Sequence, residues 1–419
     1  MQTDLPPDVL PKALASRADA ALRQCVHCGF CNATCPTYQL TGNELDGPRG
    51  RIYLMKRALE GAEVSTLTQR HLDRCLTCTA CETTCPSGVP YHALLGIGRE
   101  YVDQRVKREH NLEFKRRLLR LVASRTWLFR SLLALGRHLA PLLPRSLRQH
   151  LPNATAPLTG TDITPLPQAD AEPEASSVAV LRGCVHPVLA PSTETAARRV
   201  LARLGTQVVS TAGAGCCGAL HHHFGDTQRA RALARRNVAH FDRLLSERGV
   251  SAIVTTASGC GAFVRDYPDL LADPHTGDVP AAVTRVAAAL RDVSEVIPPQ
   301  ALAQLPAQHD GRKVQLHCPC TLEHGLHASE QVRSLLRAAG IEAIDDPTPG
   351  HCCGSAGAYS VLEPEMATAL GETRAASLSA EVPDVIATAN VGCQQHLGRH
   401  TEATVMHWIE LIEAATRPR

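Results

Sequence analysis

The sequence predicts a multidomain α+β protein, in which a small helical N-terminal domain dense in cysteine is followed by two repeated, cysteine-rich α/β units. Three observations carry this. Two runs of four cysteines with identical spacing fall within the first hundred residues. From residue 177 onward, one succession of apolar strand, helix-length stretch, Cys-Cys-Gly and second apolar strand occurs twice. A tract rich in Pro, Ala and Thr, without periodicity, separates the two regions.

The predicted organisation is therefore a two-cluster domain over 1–100, a basic helical segment over 101–150 and a linker over 151–176. The two Cys-rich units follow, over 177–300 and 301–419. The basic segment holds twelve Lys/Arg against Asp103, Glu109 and Glu113, a local charge of +9 in a chain of +2. Leu112, Leu118, Leu119, Leu121, Val122, Leu128, Phe129, Leu132 and Leu133 form a broad helical stripe in it. Either the segment docks on anionic lipid or an acidic partner, or it packs between domains with a solvated basic face.

Composition narrows the function. A nearly balanced charge and 3% aromatic residues argue against a nucleic-acid binder. No signal peptide and no apolar run of about 18 residues is visible. The expected location is the cytoplasm, with peripheral contact at the inner membrane face as a second option. Thiols stay reduced there, so 17 cysteines read as metal or cluster ligands rather than disulfides.

The first element is the pair of runs. Cys25, Cys28, Cys31, Cys35 and Pro36 spell C-x2-C-x2-C-x3-C-P, and Cys75, Cys78, Cys81, Cys85 and Pro86 repeat it. This is the bacterial ferredoxin pattern: three closely spaced thiolates wrap one [4Fe-4S] cubane, and the fourth reaches the other cluster. One cluster is assigned to Cys25, Cys28, Cys31 and Cys85, the other to Cys75, Cys78, Cys81 and Cys35. Zinc needs four ligands and not a third Cys at the same step followed by Cys-Pro. The interval between the runs leaves room for a helix around Arg51 to Leu59, hence a helical bis-[4Fe-4S] ferredoxin domain.

In the repeats, Val178–Cys184 and Val314–Cys320 each read as a buried strand running into a Cys-bearing loop. Cys184 to Cys216 and Cys320 to Cys352 are both 32 positions, so Cys320 aligns with Cys184 and Cys318 is an extra. Each repeat then offers four thiols at strand ends or loops: Cys184, Cys216, Cys217 and Cys260, and Cys320, Cys352, Cys353 and Cys393. Adjacent cysteines do not readily bridge each other, but both can ligate where a following Gly lets the backbone bend. Four thiolates suit one or two further clusters, or zinc; a purely structural copy is the alternative.

Gly213–Gly218 also spells G-x-G-x-x-G, but the second repeat lacks it in register and no acid follows at the needed strand end. His221, His222 and His223 read as the polar face of a helix start, with metal binding as the alternative. His317 and His351 either hydrogen-bond near a cluster or lie at the surface.

A double ferredoxin run followed by two Cys-Cys-Gly domains resembles the iron–sulfur subunits of glycolate oxidase (glycolate dehydrogenase). The stretch Pro36 to Tyr53, with Ser258 to Phe263 and His317 to Gly325, carries the resemblance over nearly the whole chain. It is similar, more distantly, to heterodisulfide reductase cluster subunits and to the cluster-bearing subunit of anaerobic glycerol-3-phosphate dehydrogenase. The heterodisulfide reductases close on Cys-x-x-Cys, whereas Phe263 and His396 occupy that second position here. The resemblance implies an electron-transfer subunit with no catalytic residues of its own. An FAD-containing partner would oxidise glycolate to glyoxylate, and a quinone or other acceptor would receive the electrons.

Overall fold

The computed structural model describes residues 1–140, 177–211, 213–308, 311–357 and 359–418. The predicted linker and the last ten residues of the basic segment lie outside the described residues.

The N-terminal region is helical. Its helices Lys12–Gln24, Pro48–Leu59, Thr66–Asp73 and Tyr91–Arg105 close over Leu22, Met55, Leu59, Leu72, Leu94 and Leu95. The helix expected around Arg51 begins at Pro48, where proline's fixed φ suits the first turn and its missing N–H costs nothing. Each cysteine run adds one short helix, Phe30–Ala33 and Ala80–Thr83.

The rest of the chain is built on two parallel sheets of identical strand order. The first runs β2 (Gln207–Val209), β1 (Ser177–Leu181), β3 (Ala252–Thr255), β4 (Leu290–Asp292). The second runs β6 (Ala343–Ile344), β5 (Val314–Leu316), β7 (Val385–Thr388), β8 (Thr404–His407). Ala179 pairs with Val209 on one side and Ile253 on the other, and Val314 with Ala343 and Val385. Helices cover both faces of such sheets, so the central strands read as unbroken apolar runs. In each sheet the chain leaves the first strand in opposite directions, toward β2 and then β3, or β6 and then β7. Crevices open at such switch points, outside the C-terminal strand ends.

The apolar core runs without a break through both sheets. Helix Ser258–Arg265 packs on the turn Thr321–Leu326, and helix Pro191–Arg203 on helix Trp408–Ala415. Across that seam His407 Nε2 meets the Thr256 carbonyl at 2.9 Å, and Arg203 Nη2 meets Glu413 at 2.9 Å.

The basic segment forms two amphipathic helices, His110–Ala123 and Thr126–His138. Its basic side chains divide: Lys107, Lys115, Arg117, Arg125 and Arg130 are exposed, while others turn inward. Arg116 is buried, with Arg108 beside it, and both reach Asp73, at 2.8 and 3.0 Å. Phe114, Leu118, Leu121 and Trp127 also face outward, Trp127 being 67% exposed. The buried carboxylate draws two arginines inward, and apolar side chains share the outer face with the remaining cations.

Burial raises the Asp292 carboxyl to about 6. The folded state therefore binds its proton more tightly than the unfolded chain, and the stability this brings is lost as pH rises from about 4 through 6. Asp292→Asn keeps an acceptor for the Ser294 N–H. It should be more stable than the parent at pH 7.5, by up to about 3 kcal/mol at ~1.4 kcal/mol per pH unit. Denaturant titrations at pH 7.5 and 5.5 should show that gap shrinking at the lower pH.

Candidate functional site

The two ferredoxin runs share one backbone distortion. His27 and Gly29 in the first, and Thr77 and Thr79 in the second, all take positive φ, between 52° and 85°. These are equivalent positions, two and four residues after the first Cys. A β-branched residue such as Thr79 avoids this region, and strain of this kind persists where a site requires it. The turn in the first run brings Cys25, Cys28 and Cys31 to one cavity.

Cys25, Cys28, Cys31 and Cys85 line one open cavity of about 430 Å³, with Ile52 and Val89 among its apolar walls. Burial first, and then Cys25, Cys85 and Cys28, push the Cys31 thiol up to about 11. Four thiols whose charges repel, gathered in an apolar cradle, are a donor set that only a cationic core would stabilise; the residues fit a cubane.

Cys75, Cys78, Cys81 and Cys35 form the second group. Burial and then Cys78, Cys75 and Cys35 raise the Cys81 thiol well above its ordinary value. Cys75 goes the other way: burial pushes it up, but the Arg51 and Arg99 guanidiniums bring it below the usual thiol range. Arg51 is buried and bonds the His71 carbonyl at 2.8 Å and Thr37 Oγ1 at 3.2 Å. Thr37 Oγ1 in turn lies 3.2 Å from Cys35 Sγ. Asp46, beneath this layer, holds His71 at 2.8 Å and Arg74 at 3.1 Å. Pro36 to Tyr53, read from sequence only as a resemblance, supplies Asp46 and Arg51.

The Cys-Cys-Gly motifs sit outside the C-terminal ends of the strands, at the two switch points. In the first unit Cys184, Cys216, Cys217 and Cys260 interact in a chain; bonds from Cys184 and Cys217 carry the Cys216 thiol well below its usual range. In the second, Cys320 bonds Cys352, and Cys353 bonds Cys393. Gly218 (φ +99°) and Gly354 (φ +87°) turn so that each N–H donates to the sulfur two residues back, at 3.4 and 3.5 Å. A Cβ on Gly354 would lie 2.8 Å from the Ala367 carbonyl. Gly354→Ala should therefore cost about 1–3 kcal/mol, read as a lower thermal midpoint with loss of any metal bound by the second unit only. Among the described residues, no group of three or more His, Cys, Asp or Glu is arranged to hold a single metal ion.

Cys260 and Cys393 lie within the first turn of helices Ser258–Arg265 and Val391–Leu397, not in loops. Cys318 stands apart: Arg333 Nη2 donates to its sulfur at 3.6 Å and Asp346 accepts its N–H at 2.7 Å. The three histidines are not a polar face. His221 is buried, and burial drops His222 to about 4, because the N-terminal domain packs over them. His317 is no surface residue either: it is 1% exposed and bonds Thr388 Oγ1 at 2.9 Å. His351 is half-buried.

A family model described as "4Fe-4S dicluster domain" matches residues 21–89, and one described as "Cysteine-rich domain" matches 178–265 and 314–398. The chain is 44% identical, over 99% of both chains, to the glycolate oxidase iron-sulfur subunit of Escherichia coli (strain K12). It is 34% identical to the "Probable glycolate oxidase iron-sulfur subunit" of Bacillus subtilis (strain 168), over 92% of this chain and 90% of that one. Identity to a fumarate reductase (CoM/CoB) subunit of Methanothermobacter marburgensis is 24%, over 94% of this chain and 72% of that one.

Proposed function

The chain belongs to the family of glycolate oxidase iron–sulfur subunits, and from that premise we propose that it carries electrons from a partner flavoprotein to a quinone or similar acceptor. The chain is a subunit of an oxidoreductase complex, with [4Fe-4S] clusters as its cofactors. The heterodisulfide reductase-like reading gains little, since three relatives outside the glycolate oxidase group are 23% to 24% identical.

What supports this reading is that Cys85 of the second run borders the cavity with Cys25, Cys28 and Cys31, as Cys81 also does, while Cys35 of the first run acts on the Cys81 thiol together with Cys78 and Cys75. Cys25, Cys28, Cys31 and Cys85 would hold one cluster, and Cys75, Cys78, Cys81 and Cys35 the other. The clusters supply one-electron carriers of tunable potential. The chain's residues exclude water, with Ile52, Val89, Leu76 and Tyr91, and place charge, with Arg51 and Arg99. We read the two sheets as copies of one unit, whose thiols Cys184, Cys216, Cys217 and Cys260, and Cys320, Cys352, Cys353 and Cys393, are further cluster or zinc ligands. The proposed boundaries remain 1–100, 101–150, 151–176, 177–300 and 301–419.

The partner would hold FAD and take a hydride from a 2-hydroxy acid, glycolate on the strength of the relatives' names. Removing this chain should abolish quinone reduction by the purified flavoprotein while leaving its reduction by substrate intact. Full-rate quinone reduction without the chain would refute the reading.

No helix among the described residues is long and apolar enough to cross a membrane. We place peripheral contact on helices His110–Ala123 and Thr126–His138, where exposed Phe114, Leu118, Leu121 and Trp127 neighbour Lys115, Arg117, Arg125 and Arg130. Apolar side chains flanked by cations match an anionic interface. Trp127→Ser with Phe114→Ser should cut flotation with phosphatidylglycerol vesicles at least tenfold; unchanged flotation removes the membrane contact.

A further inference from the structure

The two cysteine-rich sites meet the N-terminal domain through very different material. Toward the second site the contact is apolar and closed. Leu76, Cys78 and Ala80 share one buried cluster with Cys352, Tyr359, Met366 and Leu370, and Cys320 packs on it. Helix Pro36–Thr41 lies on helix Pro364–Leu378. Polar ties pin the rim: Thr83 Oγ1 meets His324 Nδ1 at 3.2 Å, and Arg74, held by Asp46, reaches Glu363 at 3.6 Å. Cys78 and Cys352 thus stand on either side of one buried apolar seam. Tyr359 sits within the fields of both Cys352 and Cys75.

Toward the first site the contact is built on histidine and ionic side chains around a small cavity of about 20 Å³, lined by His92, Arg99, Glu100, Asp103, His222 and His223. Its bridges are ionic, His92 to Asp266 at 3.2 Å and Arg231 to Glu100 at 3.5 Å. The first site's thiols are bracketed by their own group, with His221 beside Cys216 and Tyr267 donating to the Cys217 carbonyl. Thr126, from the exposed amphipathic pair, donates to the Cys184 carbonyl at 3.1 Å.

We propose that electrons leave the ferredoxin-type domain through the Cys78–Cys352 seam, so that the Cys320, Cys352, Cys353 and Cys393 site is the next redox centre. The first cysteine-rich site is then not the direct acceptor from that domain. An apolar contact that holds a cysteine from each side couples two centres and sets their potentials, whereas the other seam is filled by charged and histidine side chains and holds no cysteine of the first site. One electron crosses per step: the Cys75, Cys78, Cys81 and Cys35 side is oxidised by one and the Cys352 side reduced by one, with no proton required. The reduced flavin of the partner supplies the electrons, so the inference rests on the electron-carrier reading above. It also requires the second site to hold a redox-active iron centre rather than zinc.

The test is EPR on the full chain, purified anaerobically and reduced with dithionite, with iron counted on each sample. The parent should show a reduced ferredoxin-type signal split or fast-relaxing through a neighbouring paramagnet. Cys353→Ala with Cys393→Ala should lose about four irons and that interaction, keeping at least about eight irons for two intact clusters. Cys217→Ala with Cys260→Ala should leave the interaction in place. The wiring is overturned if the parent's second site holds no iron. It is overturned equally if the interaction survives the Cys353/Cys393 change or vanishes with the Cys217/Cys260 change. Loss of the electron-carrier reading would appear elsewhere, as a flavoprotein that reduces quinone unaided.

Discussion

Replacing Cys85 by serine should remove the cluster proposed for Cys25, Cys28 and Cys31, although Cys85 belongs to the other run. Cys85 lines the same cavity as those three thiols, and it stands among the charges that raise both Cys25 and Cys31. Cys81, only four positions earlier in the chain, also borders that cavity, but the cysteines that raise it are Cys78, Cys75 and Cys35. A proline follows each fourth cysteine and opens a change of direction; Pro36 starts a new helix outright. Iron bound by the ferredoxin-type domain should fall from about eight to about four per chain, with matching loss of acid-labile sulfide. Flavoprotein-driven acceptor reduction should fall to background. Cys35→Ser should remove the other cluster, so the two single variants give different residual EPR signals. If Cys85→Ser instead spares the signal of the Cys25 group and removes that of the Cys75 group, each run holds its own cluster and the crossed assignment is wrong.

Much of this was legible because cysteine spacing is a local property. The C-x2-C-x2-C turn is built within seven residues, so the sequence alone predicts which thiols converge. The positive φ at His27, Thr77 and Thr79 was not legible, since only Gly29 advertises such a backbone. The strands were readable from their unbroken apolar runs, which parallel sheets covered on both faces require. Cys260 and Cys393 read from sequence as lying at strand ends or in loops; they do follow their strands, but already inside the first turn of a helix. The histidines at 221–223 looked polar by composition, and only the N-terminal domain packing over them makes them interior. Arg51, Asp46 and Arg74 gave no signal as a group: they lie up to 28 positions apart in the chain and meet only after folding. The approach of Cys78 to Cys352 spans 274 positions and belongs wholly to tertiary structure.

Arg51 is where stability and redox tuning meet. It is 1% exposed, and its guanidinium reaches the His71 carbonyl and the Thr37 hydroxyl, which touches the Cys35 sulfur. Asp46 lies 3.8 Å away. Arg51→Met removes charge-assisted bonds worth about 1.5–3 kcal/mol each and leaves the Thr37 hydroxyl with one partner fewer. Asp46 keeps Arg74 and His71, so the loss should stay near about 3 kcal/mol rather than the larger cost of a stranded buried charge. The potential should move as well. A buried cation beside Cys75 and Cys35 favours the more negative, reduced state of whatever those thiolates bind. Its removal should lower the midpoint of that centre by roughly 60 mV for each ~1.4 kcal/mol of lost attraction, and leave the Cys25 group unmoved. Arg51→Lys separates the two effects. It retains the charge but cannot span both the His71 carbonyl and Thr37, so stability should fall while the midpoint stays near the parent's. Redox titration followed by EPR reads the second quantity, and thermal unfolding of the same samples reads the first. A midpoint that drops equally in both variants would mean that bond geometry, not the charge of Arg51, sets the potential.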